Sequence, residues 1–257
     1  MHPVTEERTL TAFAEWPDGV DRIVLDEVDS TMAEAVRRAR DLERPTWIMA
    51  RHQTAARGRR GRTWQNPPGN FAATLIWQPD ATPAEAALRT FTASNALFVA
   101  LAGKVPQAQL SLKWPNDVLL SGGKVAGILL ESSGAAERLD WLAVGFGVNL
   151  VEAPSGLRDA QVPPACLRDA GIDFAPEELL ARLAGAMAED EALLDREGFG
   201  PVRNAWLSRA ARLGDTLTVR TGTAEITGVF ETLDEAGQLV LRTSAGQVAI
   251  PAGDVSF

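Results

Sequence analysis

The texture of this chain changes once, at Leu213-Gly214, and that change limits the folds open to it. Up to residue 212, short apolar runs with strand character alternate with helical segments. From 213 to 257 there are only short strands and turns. The first part has strand-like runs at 23–25, 47–50, 71–77, 110–113, 118–120, 124–130 and 141–150. A helix follows Asp29-Ser30-Thr31, where Thr31 and Glu34 have capping-box spacing. Met32, Ala35, Val36 and Ala39 share one of its faces. Pro83 opens a long helix through about Ala102, with Leu88, Phe91, Leu97, Phe98 and Leu101 as core candidates. Further helices are predicted over 176–196 and 201–212, and Ser121-Gly122-Gly123 reads as a hairpin turn. The second part carries strands at 216–220, 224–230, 239–242 and 247–250. These elements predict an α+β architecture: a mixed β-sheet with helices on one face over 1–212, then a small β-barrel over 213–257. The second unit is too short to bury much core alone, so it is expected to pack on the first.

Charge narrows the class of partner. Asp and Glu number 34 against 25 Lys and Arg, for a net charge of −9, and the basic residues crowd into one loop. A nucleic-acid binder carries a broad positive face, so no nucleic-acid partner is expected. Cys166 is the one cysteine, so no intrachain disulfide forms. It lies after Val162-Pro163-Pro164-Ala165, with no histidine nearby to activate it. The N-terminus, Met1-His2-Pro3-Val4-Thr5-Glu6-Glu7, has no signal-peptide pattern, and no apolar run reaches a membrane span of ~20 residues. A cytoplasmic protein with no membrane partner is expected.

The basic loop is Arg57-Gly58-Arg59-Arg60-Gly61-Arg62, with Trp64 just beyond. Glycines let the backbone fold tightly round an anion, guanidinium groups grip phosphate or carboxylate in forked pairs, and Trp64 can stack on a flat heterocycle. A solvated basic loop is the alternative. Lys113-Trp114-Pro115-Asn116-Asp117 lies between two strands, with a Trp-Pro bond open to cis. Such a turn aims Asn116 and Asp117 in fixed directions, or merely satisfies its own backbone. Lys124 begins the apolar strand Val125-Ala126-Gly127-Ile128-Leu129-Leu130, where it snorkels or meets a ligand. Gly127 inside that strand marks a close backbone approach or routine packing. Common nucleotide motifs are absent. Val125 follows Gly122-Gly123-Lys124, so this is no Walker A loop, and Gly145-Phe146-Gly147 lacks the third glycine of a dinucleotide fingerprint because position 150 is Leu. No cluster has zinc spacing.

Taken in order, three stretches resemble the biotin–protein ligases: 51–64 with the arginine loop, 113–117, and 124–129. Asp29-Ser30-Thr31 lies upstream as in that family, Gly145-Phe146-Gly147-Val148-Asn149 resembles its glycine-rich strand, and 214–257 resembles its C-terminal barrel. The resemblance covers about residues 20–257. It implies a class II synthetase-like catalytic domain with an SH3-like barrel. It also implies ATP and biotin as substrates, Mg²⁺, and two steps. Biotin is activated as biotinyl-5′-AMP, then passed to a lysine of the biotin carboxyl carrier domain of a carboxylase. Site residues follow by the same resemblance. Ser30, Thr31, Gln53, Gly127 and Leu129 bind biotin, and Arg57, Gly58, Arg59 and Lys124 hold its carboxylate and the phosphate. Arg59, Lys124 and Asp117 are catalytic, with Asp117 also a Mg²⁺ ligand. Arg60, Arg62, Trp64, Asn116 and Asn149 take the nucleotide. A homodimer is left open.

This chain departs from the family pattern at Ala56, where glycine is common, and with only about 20 residues before the first strand it implies no winged-helix repressor domain. Two other readings stand beside the ligase: a lipoate–protein ligase, and a non-catalytic biotin or nucleotide sensor. Loss of Arg59, Asp117 or Lys124 would favour the sensor, and all three are present. Trp47, Trp77, Trp141 and Trp206 read as core.

Overall fold

In the computed structural model, which describes residues 16–156, 161–222 and 224–256, seven strands make one sheet. The N-terminal reading of Met1 to Glu7 lies outside the described residues. In chain order come β1 (Asp21–Val28), α1 (Thr31–Arg38), β2 (Thr46–Gln53), β3 (Phe71–Trp77), α2 (Pro83–Ala102), β4 (Leu110–Lys113), β5 (Asp117–Leu120), β6 (Gly123–Gly134) and β7 (Leu139–Val148). Then come α3 (Pro176–Glu197), α4 (Phe199–Leu207) and the strands β8 (Thr216–Arg220), β9 (Glu225–Leu233), β10 (Leu239–Thr243), β11 (Gly246–Ile250) and β12 (Asp254–Ser256). The large sheet runs β1-β2-β3-β7-β6-β5-β4. β1 and β2 are parallel and the other neighbours antiparallel, so the sheet is mixed as expected.

β3 and β7 are largely apolar, broken by Thr74 and Asp140, because the sheet centre is covered on both sides. This corrects the expectation of helices on one face. α1 packs Met32, Ala35 and Ala39 against Ile48, Ile76 and Ala143. On the other face Trp47, Met49, Phe71, Ala73 and Phe146 join the core that holds α2. Alternation along each strand divides one set from the other, as the pleat requires. From Phe91 to Ala102 every residue of α2 is buried, which is the state of a helix clad all round. Its start is fixed by a capping box, Thr82 with Glu85, and by Pro83 in the first turn. Each fully buried leucine in it, such as Leu97 or Leu101, contributes about 1.5–3 kcal/mol.

Two local expectations are corrected. Ser30, not Thr31, caps α1: its backbone is extended and its side chain accepts from Ala33 N. Thr31 lies in the first turn, where its hydroxyl bonds elsewhere. α4 ends at Leu207 rather than near 212. The cause is tertiary: Leu112 N donates to Arg209 O and Ala211 N donates to Leu112 O, so the chain leaves the helix to pair with β4. The β5–β6 hairpin forms as predicted, with Ser121 (φ 48°) and Gly122 (φ 84°) in the left-handed region.

The last five strands form an antiparallel sheet in the order β11-β10-β9-β8-β12. Its ladder runs open from β11 to β12 among the described residues. Its apolar side, with Leu217, Val219, Phe230, Leu239 and Val255, belongs to the same core as the large sheet. Trp206 of α4 lies 6.5 Å from Phe230 and 5.6 Å from Phe91, ring centre to ring centre. The expected packing of the two units is therefore present.

Candidate active site

One cleft of about 670 Å³ gathers every residue named above as a candidate site residue. Its floor is bare backbone. Gly127 of β6 and Gly147 of β7 are cross-strand partners, and Gly145 pairs with Leu129. A Cβ at Gly147 would stand 2.6 Å from the Trp64 indole, and one at Gly127 would stand 3.2 Å from it. The close approach inferred at Gly127 is thus made by Trp64 here, and the glycines form a slot the width of a flat ring. Lys124 Nζ lies 5.7 Å from the centre of the Trp64 ring, a cation–π distance.

One end of the cleft is polar and neutral. Thr74 Oγ1 donates to Thr31 Oγ1 at 2.9 Å, and Thr31 Oγ1 donates to Gln53 Oε1 at 3.2 Å. Thr31 N also donates to Gln53 Oε1, at 2.8 Å. This chain of bonds fixes Gln53 at the end of β2 against the start of α1, beside Ser30. Thr74 and Met32 line the same end and were not singled out from the sequence. Thr74 carried a signal, being a hydroxyl within the apolar run of β3.

The middle of the cleft is cationic. Lys124 Nζ lies 2.6 Å from Asp117 Oδ1, and Lys113 Nζ lies 4.0 Å from Asp117 Oδ2. Arg59 Nη1 donates to Asn116 Oδ1 at 2.9 Å, while Asn116 Nδ2 donates to Ile128 O at 2.6 Å. Three cations therefore face one carboxylate. Burial holds both the Arg59 guanidinium and the Lys113 ammonium below their ordinary ranges, with Asp117 opposing the fall in each. A site this short of negative charge is suited to a ligand that brings it.

Local backbone explains how these groups are aimed. The Trp114-Pro115 bond is cis. In the β5–β6 ladder Val118 pairs with Ala126 but Leu119 pairs with Lys124, so Val125 is an extra residue. Such a bulge turns its neighbours, and Lys124 also pairs outside the sheet. Its N donates to Pro163 O and its O accepts from Ala165 N. Asn149 ends this wall of the cleft. Its Nδ2 donates to Ala165 O at 3.0 Å, and its buried Oδ1 has no partner among the described residues.

The arginine loop closes over the cleft. Gly58 N donates to Arg62 O, Arg57 and Thr63 form a bridge, and Arg59–Gly61 make a single 3₁₀ turn with Arg60 at φ 56°. Arg57 reaches Glu131 at 3.2 Å. Arg60 and Arg62 both reach Asp254 of β12, at 2.8 and 3.3 Å. Sequence spacing gave no hint of Asp254, which stands 194 residues from Arg60. Ala56 is buried against the cleft, and its carbonyl accepts from Trp64 N at 3.0 Å. Among the described non-glycine residues only Arg60, Ser121 and Arg212 have positive φ, so the Ala56 Cβ is unstrained. Cys166 is buried, its thiol donates to Val151 O and burial pushes it up, which suits packing rather than attack. No group of three metal-ligating side chains occurs among the described residues.

Comparison with known proteins agrees with this geometry. Residues 24–149 match the biotin/lipoate A/B protein ligase family, and residues 213–257 match the biotin protein ligase C-terminal domain. The chain is 50% identical over 238 residues to the biotin–acetyl-CoA-carboxylase ligase of Paracoccus denitrificans, spanning 91% of this chain and 99% of that protein. It is 29% identical over 227 residues to the bifunctional ligase/repressor BirA of Escherichia coli strain K12, spanning 87% of this chain and 70% of that one. Among solved structures, the biotin protein ligase from Aquifex aeolicus in complex with biotin and ATP matches with a TM-score of 0.75 at 28% identity, covering 92% of this chain and 97% of that one. The chain belongs to the biotin–protein ligase family.

Proposed function

We propose that this protein activates biotin with ATP and transfers it to a lysine of a biotin carboxyl carrier domain. The observation that carries the reading is a single cleft that joins a neutral polar end to a cluster of three cations and then to a buried free acceptor. The Thr31–Gln53–Thr74 end suits the ureido head of biotin, which both donates and accepts. Ser30, Met32 and Leu129 line the same end and suit the rest of its bicycle. Asn149 Oδ1 suits an amino donor on the nucleotide base, with Trp64 beside it.

In the first step a biotin carboxylate oxygen attacks the α-phosphorus. A P–O bond forms, the bond to the β-phosphate bridge breaks, and pyrophosphate leaves with that electron pair. No proton moves, so no general base is required. The residues instead hold still and offset charge. Arg59 and Lys124 stabilise the crowded negative phosphorus centre, and Arg57 and Gly58 keep the carboxylate close to it. Asp117 would hold a Mg²⁺ ion brought in with ATP, and the ion would offset charge on the phosphates. In the second step the carrier lysine amine attacks the acyl carbon, AMP leaves, and the amine proton is lost to solvent. The arginine loop excludes water from the mixed anhydride in between, and Arg60 and Arg62 reach the nucleotide by leaving Asp254.

The same reading places the protein in the cytoplasm with a carboxylase carrier as partner, no nucleic-acid or membrane partner, and a homodimer as an allowed assembly. The acidic balance of the chain supports the absence of a nucleic-acid partner. Incubation with ATP, Mg²⁺, a carboxylase carrier domain and biotin should add one biotinyl group to one carrier lysine, read by mass spectrometry. Lipoate should add nothing. Equal modification by lipoate would overturn the assigned specificity.

A further inference from the structure

The Trp114-Pro115-Asn116-Asp117 turn is held from two sides, and the second hold comes from the C-terminal sheet. On one side, Ile128 N donates to Asn116 O at 3.0 Å and Asn116 Nδ2 donates to Ile128 O, so β6 grips the turn twice. On the other side, the Trp114 indole points away from the cleft and is buried. Its Nε1–H donates to the Gly237 carbonyl at 3.2 Å. Gly237 belongs to the tight turn between β9 and β10. There Asp234 Oδ1 accepts from both Ala236 N and Gln238 N, which makes residues 234–238 a rigid tip rather than a loose loop.

That tip is shaped to fit. Gly237 has φ 73°, a conformation that favours glycine. A Cβ built there would stand 3.3 Å from Leu88 and would overlap the Phe91 ring. The absent side chain thus lets the hairpin backbone seat on α2 and reach the indole. A buried indole N–H needs an acceptor, and among the described residues this one is met by the backbone of the other unit.

We propose that the β9–β10 tip is a positioning element for the nucleotide half of the cleft. Gly237, acting through Trp114, fixes the direction in which Asn116 and Asp117 face Arg59 and Lys124. This rests on the ligase reading for its kinetic consequence but not for its structural one. The C-terminal sheet then serves the adenylation step without touching substrate. The biotin end is set by α1, β2 and β3, and is independent of the tip.

Two variants test it. Trp114→Phe keeps an aromatic ring and removes the donor together with one ring of the indole, and Gly237→Ala pushes the tip off Phe91. In biotin-dependent ATP–pyrophosphate exchange, both should raise the KM for ATP or lower kcat by about tenfold. Direct binding of biotin should stay within about twofold. A loss shared equally by biotin binding would mark general damage and overturn the assignment. Hydrogen exchange supplies a readout that needs no activity. Amides of residues 116–120 should exchange faster in both variants while those of 142–148 do not change. Unchanged protection at 116–120 would overturn the inference whatever the kinetics. A wild-type protein with no exchange activity would count against the ligase reading alone, and the amide comparison would still decide this one.

Discussion

At the scale of single residues, the site depends on cations that the fold has partly stripped of water. Arg59 is half-buried and tied to Asn116, so its charge is already aimed when ligand arrives. Such preorganised groups are worth about 10²–10³ in rate. Arg59→Ala should therefore lower adenylate formation by about that factor while biotin still binds at the Thr31–Gln53 end. Wild-type rates of pyrophosphate release in the variant would remove Arg59 from its role. A second residue-scale prediction concerns Glu191 of α3. Burial pushes its carboxyl up to about 7, against a pull from Arg89, whose Nε donates to Glu191 Oε2 at 2.9 Å. The other oxygen has no partner among the described residues. The folded protein thus holds this proton more tightly than the unfolded chain does. Stability from this group is full below the ordinary carboxylate range and falls as pH rises toward about 7. Glu191→Gln mimics the protonated form, so melting curves should show the variant gaining on wild type between about pH 5 and pH 8. A gap that stays constant, or moves the other way, would contradict this. Arg89 itself was invisible in the sequence, because a lone arginine in a helix reads as surface until its partners on α3 are known.

Among the elements, the arginine loop is the one built to move. Its closure rests on Arg57–Glu131, Arg60–Asp254 and Arg62–Asp254, all partly exposed pairs. Exposed pairs contribute roughly 0–1 kcal/mol each, so ligand can easily shift the balance. Hydrogen exchange of residues 54–64 should slow when biotin and ATP are added. Equal protection with and without ligand would mean a loop that is already rigid. Asp254→Asn should speed exchange in that segment and leave the melting temperature almost unchanged. A large drop in melting temperature would make Asp254 a structural residue instead. The loop's chemistry was legible from its arginines and glycines because both act through their own backbone and charge. Its anchor was not, since β12 carries no pattern that points 194 residues back. The same limit explains α4. Helical spacing continued past Leu207, but β4 offered hydrogen bonds to residues 209 and 211, and that contact is decided by tertiary structure. α1 taught a related lesson, for its apolar stripe was plain and the face of the sheet it would cover was not.

For the whole molecule, the arrangement of strands brings distant segments to one line. β2, β3 and the start of α1 supply the polar end, β6 and β7 the floor, and β4, β6 and the arginine loop the cations. The loop between β2 and β3 forms the lid. Each motif was readable in the sequence, since glycine, arginine and proline constrain backbone and charge locally. Their meeting in one cleft was readable only through the family resemblance, because no local rule gives the order of strands in a sheet. In the ligase reading this cleft joins a carboxylate to a nucleotide. Biotin-dependent ATP–pyrophosphate exchange in the presence of Mg²⁺, with lipoate as control, tests it most directly. Rapid exchange with biotin and none with lipoate is the expected result. Tight biotin binding without any exchange would contradict it and make the protein a sensor that kept the pocket and lost the reaction.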